Sequence, residues 1–175
     1  MRFTVTPDWK DNQLLRLVLV WFLVFVALLW VTNALLYFAK MTLNPASVVA
    51  YYLGNEAAFT QPRSYQGMLE ISHFHMFAMG ILVLTMTHLL LFVPIANRTK
   101  AWIVSLAFAA ALADEASGWL VRFVSPGFAY LKVAAFVTLE AVLAFMVGAV
   151  LWAIFTAQPN DYRSSAPDDD DDDDD

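Results

Sequence analysis

The chain has 175 residues, of which 60% are hydrophobic and 15% charged, against roughly 45–50% and 25% in soluble domains. Its formal net charge is −6, but eight of the sixteen acids form the terminal run Asp168–Asp175, and the remainder carries eight acids against ten bases. There is no cysteine, which excludes disulfides, iron–sulfur clusters and c-type haem attachment, and no basic stripe of the kind that nucleic-acid binding needs.

Four apolar runs, at about 14–38, 68–93, 101–124 and 128–155, each approach or exceed the roughly 20 residues that span a hydrocarbon core. So little chain is left over that the expected fold is all-α, an integral membrane four-helix bundle in one domain over 1–157. The first run is too long for a signal-peptide core and lacks a small-x-small cleavage site after it. It has no Asp, Glu, Lys, Arg or His between Arg16 and Lys40, which makes it the least promising place for a site.

The first loop is the longest connection. Within it, Asn44-Pro45 reads as a helix N-cap followed by proline at the first helical position, and Gly54 as a stop. Val48, Val49, Tyr51, Tyr52 and Leu53 would lay this short helix on the membrane interface.

All three histidines fall in the second run. An imidazole inside hydrocarbon is costly, so an intramembrane histidine is a functional hypothesis by default. At about 100° per residue, Glu70, His73, Gly80, Thr87 and His88 share one stripe, while His75, Met79 and Met86 share another.

The loop between the second and third runs carries Arg98 and Lys100 and no acid. With Arg2, Lys10, Arg16 and Arg163 it outweighs Lys40, Arg63, Arg122 and Lys132 on the other side. The positive-inside rule then places both termini in the cytoplasm, as in a bacterial inner membrane, and the first loop outside.

The third run is rich in small residues, with Ala109, Ala113 and Ser117 in one row that suits close helix packing, as do Ala144 and Gly148 in the fourth. Ser125-Pro126-Gly127 is a tight turn, which makes the last two runs a hairpin. The stretch 158–175 reads as a disordered acidic tail, because a block of like charges repels itself.

Three kinds of chemistry fit the polar residues. His73 and His88 lie 15 residues apart, roughly 22 Å along a helix axis and so one near each membrane surface. This arrangement, with Gly80 between them on the same face, resembles that of the transmembrane b-type cytochromes of respiratory chains, where one helix gives a histidine to each of two stacked haems. The resemblance implies haem b, with His73 and His88 as ligands and Gly80 admitting the porphyrin. The other three runs hold no histidine, so the sixth ligand would come from a homodimer, another subunit or a methionine such as Met146.

Glu70-Ile71-Ser72-His73 also has the Glu-x-x-His spacing of carboxylate-bridged metal sites in helical bundles. Iron, copper or zinc would then be held by Glu70, His73 and His75, with Glu70 also able to orient an imidazole. Asp114, Glu115 and Glu140 are unusual in lipid and lie at roughly 14–18 Å from the outer ends of their helices, at a depth similar to His73 and His75. They serve either as metal-facing or proton-handling carboxylates, or as structural partners of Arg122.

The third option is a chain of Asp, Glu and His carrying protons. The expected function is therefore a small membrane subunit that binds a haem or transition metal for electron transfer within a larger complex. The alternatives are a proton-relay component, or a scaffold with no cofactor whose outer loop, through Glu56, Arg63 and Tyr65, docks other membrane or periplasmic subunits.

Overall fold

A computed structural model describes residues 13–156, and the expected acidic tail lies outside them. Four long helices are α1 (Gln13–Lys40), α3 (Tyr65–Leu90), α4 (Asn97–Phe123) and α5 (Ala129–Thr156), with a short α2 (Pro45–Leu53) between the first two. The four long elements are long and apolar enough to cross a membrane. α3 and α4 begin three or four residues before the apolar runs do. Their first turns are polar, and Ser64 accepts a hydrogen bond from the Gly67 N–H to start α3, so the cap rather than hydropathy sets that boundary.

The α1–α3 connection and the α4–α5 turn lie at one end of the bundle, here the looped end. α1 begins and α5 stops at the other, the terminal end. α5 is the central element and packs against each of the other four helices. It buries eleven residues along its length, whereas α1 buries only Leu23, Val26 and Tyr37. The larger part of α1 is therefore left for lipid.

α1 is fixed to α5 by polar contacts as well. Trp30 Nε1 donates to the Glu140 carbonyl at 3.0 Å and Asn33 Nδ2 to Glu140 Oε1 at 2.6 Å. Away from water such bonds are worth about 0.6–2 kcal/mol each.

α2 starts where the Asn44 side chain accepts from the Ala46 N–H, and Gly54 ends it at φ 81°. A Cβ at Gly54 would lie 2.5 Å from the Thr60 carbonyl oxygen, so only glycine fits. α2 folds back onto α4 and α5. Val48 is fully buried there and Tyr52 presses on Gly118, where a Cβ would meet the Tyr52 hydroxyl at 2.6 Å. Part of the apolar set expected on the membrane interface is thus turned into the bundle.

Close packing of α4 runs along Ala107, Ala110, Asp114, Ser117 and Val121. Of the expected row Ser117 lies on that face, whereas Ala109 is exposed, as are Ala144 and Gly148 on α5. The period of 3.6 carries a strict every-fourth-residue row around the helix, away from the seam.

Candidate functional site

The polar side chains within the bundle gather at the looped end around a cavity of about 730 Å³. α4 and α5 form its floor, α2 and the residues after it the mouth, and α1 and α3 the two walls. α1 and α3 each pack on α5 rather than on one another. This leaves the gap between them.

Two ionic pairs sit in the floor. Glu115 on α4 holds the first together: His75 Nδ1 is 2.8 Å from Oε2, and the Ser72 hydroxyl donates to Oε1. Trp119, one helical turn beyond Glu115, donates its indole N–H to Ser72 Oγ at 2.8 Å. Ser72 and His75 are three apart on α3, as Glu115 and Trp119 are nearly one turn apart on α4, so two helix faces meet in one network. With Nδ1 directed at the carboxylate, His75 Nε2 is the ring position open to exchange. Nε2 has no hydrogen-bond partner among the described residues.

The second pair is Lys132 on α5 with Asp114 on α4, at 2.9 Å from Nζ to Oδ1. Both residues are buried, at 8% and 7% exposure. The aligned hydrogen bond from Nζ goes to the Asp114 carbonyl, also at 2.9 Å, so Oδ1 has a charge partner without a directed hydrogen bond.

Tyr52, on α2, lines the cavity with its hydroxyl close against Gly118. Burial, with the Asp114 charge adding to it, raises its pKa well above the ordinary tyrosine range. It therefore stays a neutral donor and acceptor. At the mouth, the Arg63 guanidinium stacks on the Tyr51 ring at 4.1 Å and Lys40 Nζ lies 6.0 Å from that ring.

The residues singled out in the sequence divide between this site and the outside of the bundle. His75, Asp114 and Glu115 line the cavity. Glu140 lies beside it, tied to Asn33, with Oε2 buried and unpartnered among the described residues. Glu70, His73, Gly80 and His88 are all exposed on the outward face of α3. Glu70 accepts from Gln66, and the rings of the two outward histidines meet the edges of Phe74 and Phe92. The buried face of α3 is set by Met68, Ser72, Val83, Met86 and Leu90, to which the stripe containing His75, Met79 and Met86 is adjacent. Thr87 leaves the outward stripe and is buried.

Two corrections concern charge partners. Arg122 does not pair with Asp114 or Glu115: its Nε donates to the Arg63 carbonyl at 2.9 Å, because it lies about two turns nearer the looped end. The partner of Asp114 is Lys132, which had been counted as a flanking surface base. The donor set Glu70, His73 and His75 is split between two faces, and among the described residues no three His, Asp or Glu side chains gather closely enough to hold a metal ion.

Sequence reasoning also passed over Ser72, Tyr52, Trp119 and all of α1, which lends Asn33, Tyr37 and Lys40 to the site. One signal was available for Ser72: it sits three residues from His75 and so on the same side of α3.

A family model described as a transmembrane helical domain matches residues 42–161. The chain belongs to this family, Aq_1264_TM. It is thus an integral membrane protein, in agreement with its four long apolar helices. The Aq_1264_TM stretch takes in α2 to α5, and with them the floor and mouth of the cavity, while the α1 wall precedes it. No curated protein and no solved structure matches the chain.

Proposed function

We propose that this protein is a small membrane subunit that binds a ligand in the cleft at its looped end and exchanges a proton with it through the His75–Glu115 pair. It works within a larger redox or ion-handling complex, with the cleft facing outward and both termini in the cytoplasm. The observation that carries this reading is the 2.8 Å contact of His75 Nδ1 with Glu115 at the edge of a cavity. An imidazole oriented by a carboxylate, with its other nitrogen open, is the usual means of taking up and returning a proton. Ser72 and Trp119 restrain the carboxylate, so the ring keeps its orientation while its charge changes.

Infrared difference spectra of the protein in lipid, recorded between two pH values, test this. Imidazole and carboxyl signals are expected in the wild type and should be lost in His75→Gln and in Glu115→Gln. Identical difference spectra in all three proteins would remove the proton-handling role.

A second reading is electron transfer through haem b, held between the outward stripes of two copies or of this chain and another subunit. What favours it is Gly80, where an added Cβ would meet nothing within 4 Å, on the same open face as His73 and His88. A reduced-minus-oxidised optical spectrum of the purified protein decides this: a haem band that disappears in His73→Leu/His88→Leu supports it. Iron, copper or zinc at the His75–Glu115 pair would need a third ligand from a partner, and elemental analysis of the same sample tests it.

A further inference from the structure

We propose that the occupant of the cleft is a membrane-soluble amphiphile with a neutral, oxygen-bearing ring as its head, of the quinone and quinol class, which enters sideways from the bilayer between α1 and α3. This identifies the ligand of the site assigned above and rests on that assignment.

The route follows from exposure. Leu36 on α1 and Ile71 and Phe74 on α3 line the cleft and are also 54%, 56% and 75% exposed on the lipid-facing surface of the bundle. An apolar tail lying between them keeps one side in lipid while its head reaches the floor. The volume, about 730 Å³, lies within the roughly 300–1,000 Å³ of small-molecule clefts. That is room for a substituted ring and the start of a chain.

The head chemistry follows from charge. Lys132 is matched by Asp114, and Glu115 lies against His75, so the floor has no spare cation. An anionic head would face two carboxylates there, at a cost that low dielectric magnifies. A neutral head is not repelled. Two polar groups on residues that line the cavity have no hydrogen-bond partner among the described residues, His75 Nε2 and the Tyr52 hydroxyl. Between them they accept from a ring hydroxyl and donate to a ring carbonyl. Trp119, Tyr37 and Phe136 supply flat apolar surface for a ring.

Trp119 also supplies the readout, because quinones quench indole fluorescence. Full-length protein in detergent is titrated with decylubiquinone and with its quinol, alongside a Trp119→Phe reference. Saturable quenching that is missing from the reference is expected. The dissociation constant should rise about tenfold in His75→Gln, which is the loss of one hydrogen bond of about 1.4 kcal/mol.

Tyr52→Phe, which keeps the ring packing, should raise it about fivefold by the same reasoning. Ala78→Phe narrows the gap from the exposed side of α3 and should slow binding without disturbing the core. Quenching that never saturates, or that is equal in the Trp119→Phe protein, overturns the proposal. So does displacement of the quinone by phosphatidylglycerol or by inorganic phosphate, which would assign the cleft to an anionic head drawn by Lys40 and Arg63. If the infrared signals of His75 and Glu115 persist while quinone fails to bind, the ligand class alone is wrong. If quinone binds and those signals are absent, the proton-handling role alone is wrong.

Discussion

At the terminal end of the bundle, Leu23, Val83, Met86, Leu90, Met146 and Ile154 close into a dry core in which each is almost fully buried. At the looped end the same four helices enclose Asp114, Lys132, Glu115, His75 and Ser72 around an open volume. The difference comes from α2. By folding back over α4 and α5 it occupies the end of the bundle where α1 and α3 would otherwise close, and the gap between their looped ends stays open. Dispersion packing holds one end of the molecule. At the other, paired charges sit beside a smaller apolar cluster of Tyr37, Met41, Val48, Val121, Ala129 and Phe136.

This contrast makes the two ends respond differently to mutation. The largest effect is expected for Lys132→Met, which leaves Asp114 buried without its charge partner. Removing one member of a buried pair costs about 3–5 kcal/mol. Adding Asp114→Asn should recover most of that loss. Thermal unfolding in detergent checks both variants. If Lys132→Met alone is tolerated, the pair is not what holds the looped end.

Next in size is Met146→Ala at the terminal end, where the side chain is fully buried. A large-to-small change in a packed core costs about 2–4 kcal/mol, including the cavity left behind. No second polar substitution should rescue it, and its effect should add to that of Lys132→Met, because the two sites share no partner. Marked non-additivity would mean that the two ends do not behave as separate regions.

A smaller effect depends on pH. The Tyr52 hydroxyl has its pKa raised on folding by burial and by the Asp114 charge, from an ordinary value of 10.0. Below that value the group is protonated in both states and contributes no pH dependence. Above it the unfolded chain loses the proton first, so stability falls with rising pH, by up to about 1.4 kcal/mol per unit. The difference between wild type and Tyr52→Phe isolates this slope from that of the lysines. An identical alkaline slope in the two proteins would show that the hydroxyl is not buried at the looped end of the bundle.

How much of this was legible in the sequence varies with the kind of force involved. The spans were, because twenty apolar residues leave lipid as the only solvent. The N-cap at Asn44 and the stop at Gly54 were, because caps are local chemistry. The site was legible in part. His75, Asp114 and Glu115 could be named because ionisable groups in an apolar run are costly wherever they point. Which histidine faces inward was not, since polarity alone does not orient a helix. On α3 the apolar residues are spread around the axis, and the burial of Ser72 decides its direction.

Lys132 escaped notice for the opposite reason. It lies one turn from the start of its helix, where lysines ordinarily reach water, and only the fold of α2 and α4 over that end buries it. The part played by α1 was hidden because Asn33 and Tyr37 carry no charge. Their importance comes from Glu140 and Phe136 across the helix pair, with the Tyr37 and Phe136 rings stacked at 3.7 Å.

The smallest expected effect concerns the outward stripe. In the isolated chain the His73 and His88 rings meet the edges of Phe74 and Phe92 and make no hydrogen bond among the described residues, and His88 also borders a small apolar cleft with Leu19 and Val150. Replacing both by leucine removes no internal hydrogen bond and suits a lipid-facing surface. The double variant should therefore unfold within about 0.5 kcal/mol of wild type in detergent, as surface substitutions do, while His75→Leu, which strips Glu115 of a partner, should not. If the protein purified from its native membrane instead loses stability or a chromophore on this double change, the stripe is covered in the assembly. The outward histidines would then belong to a second site that one chain alone does not complete.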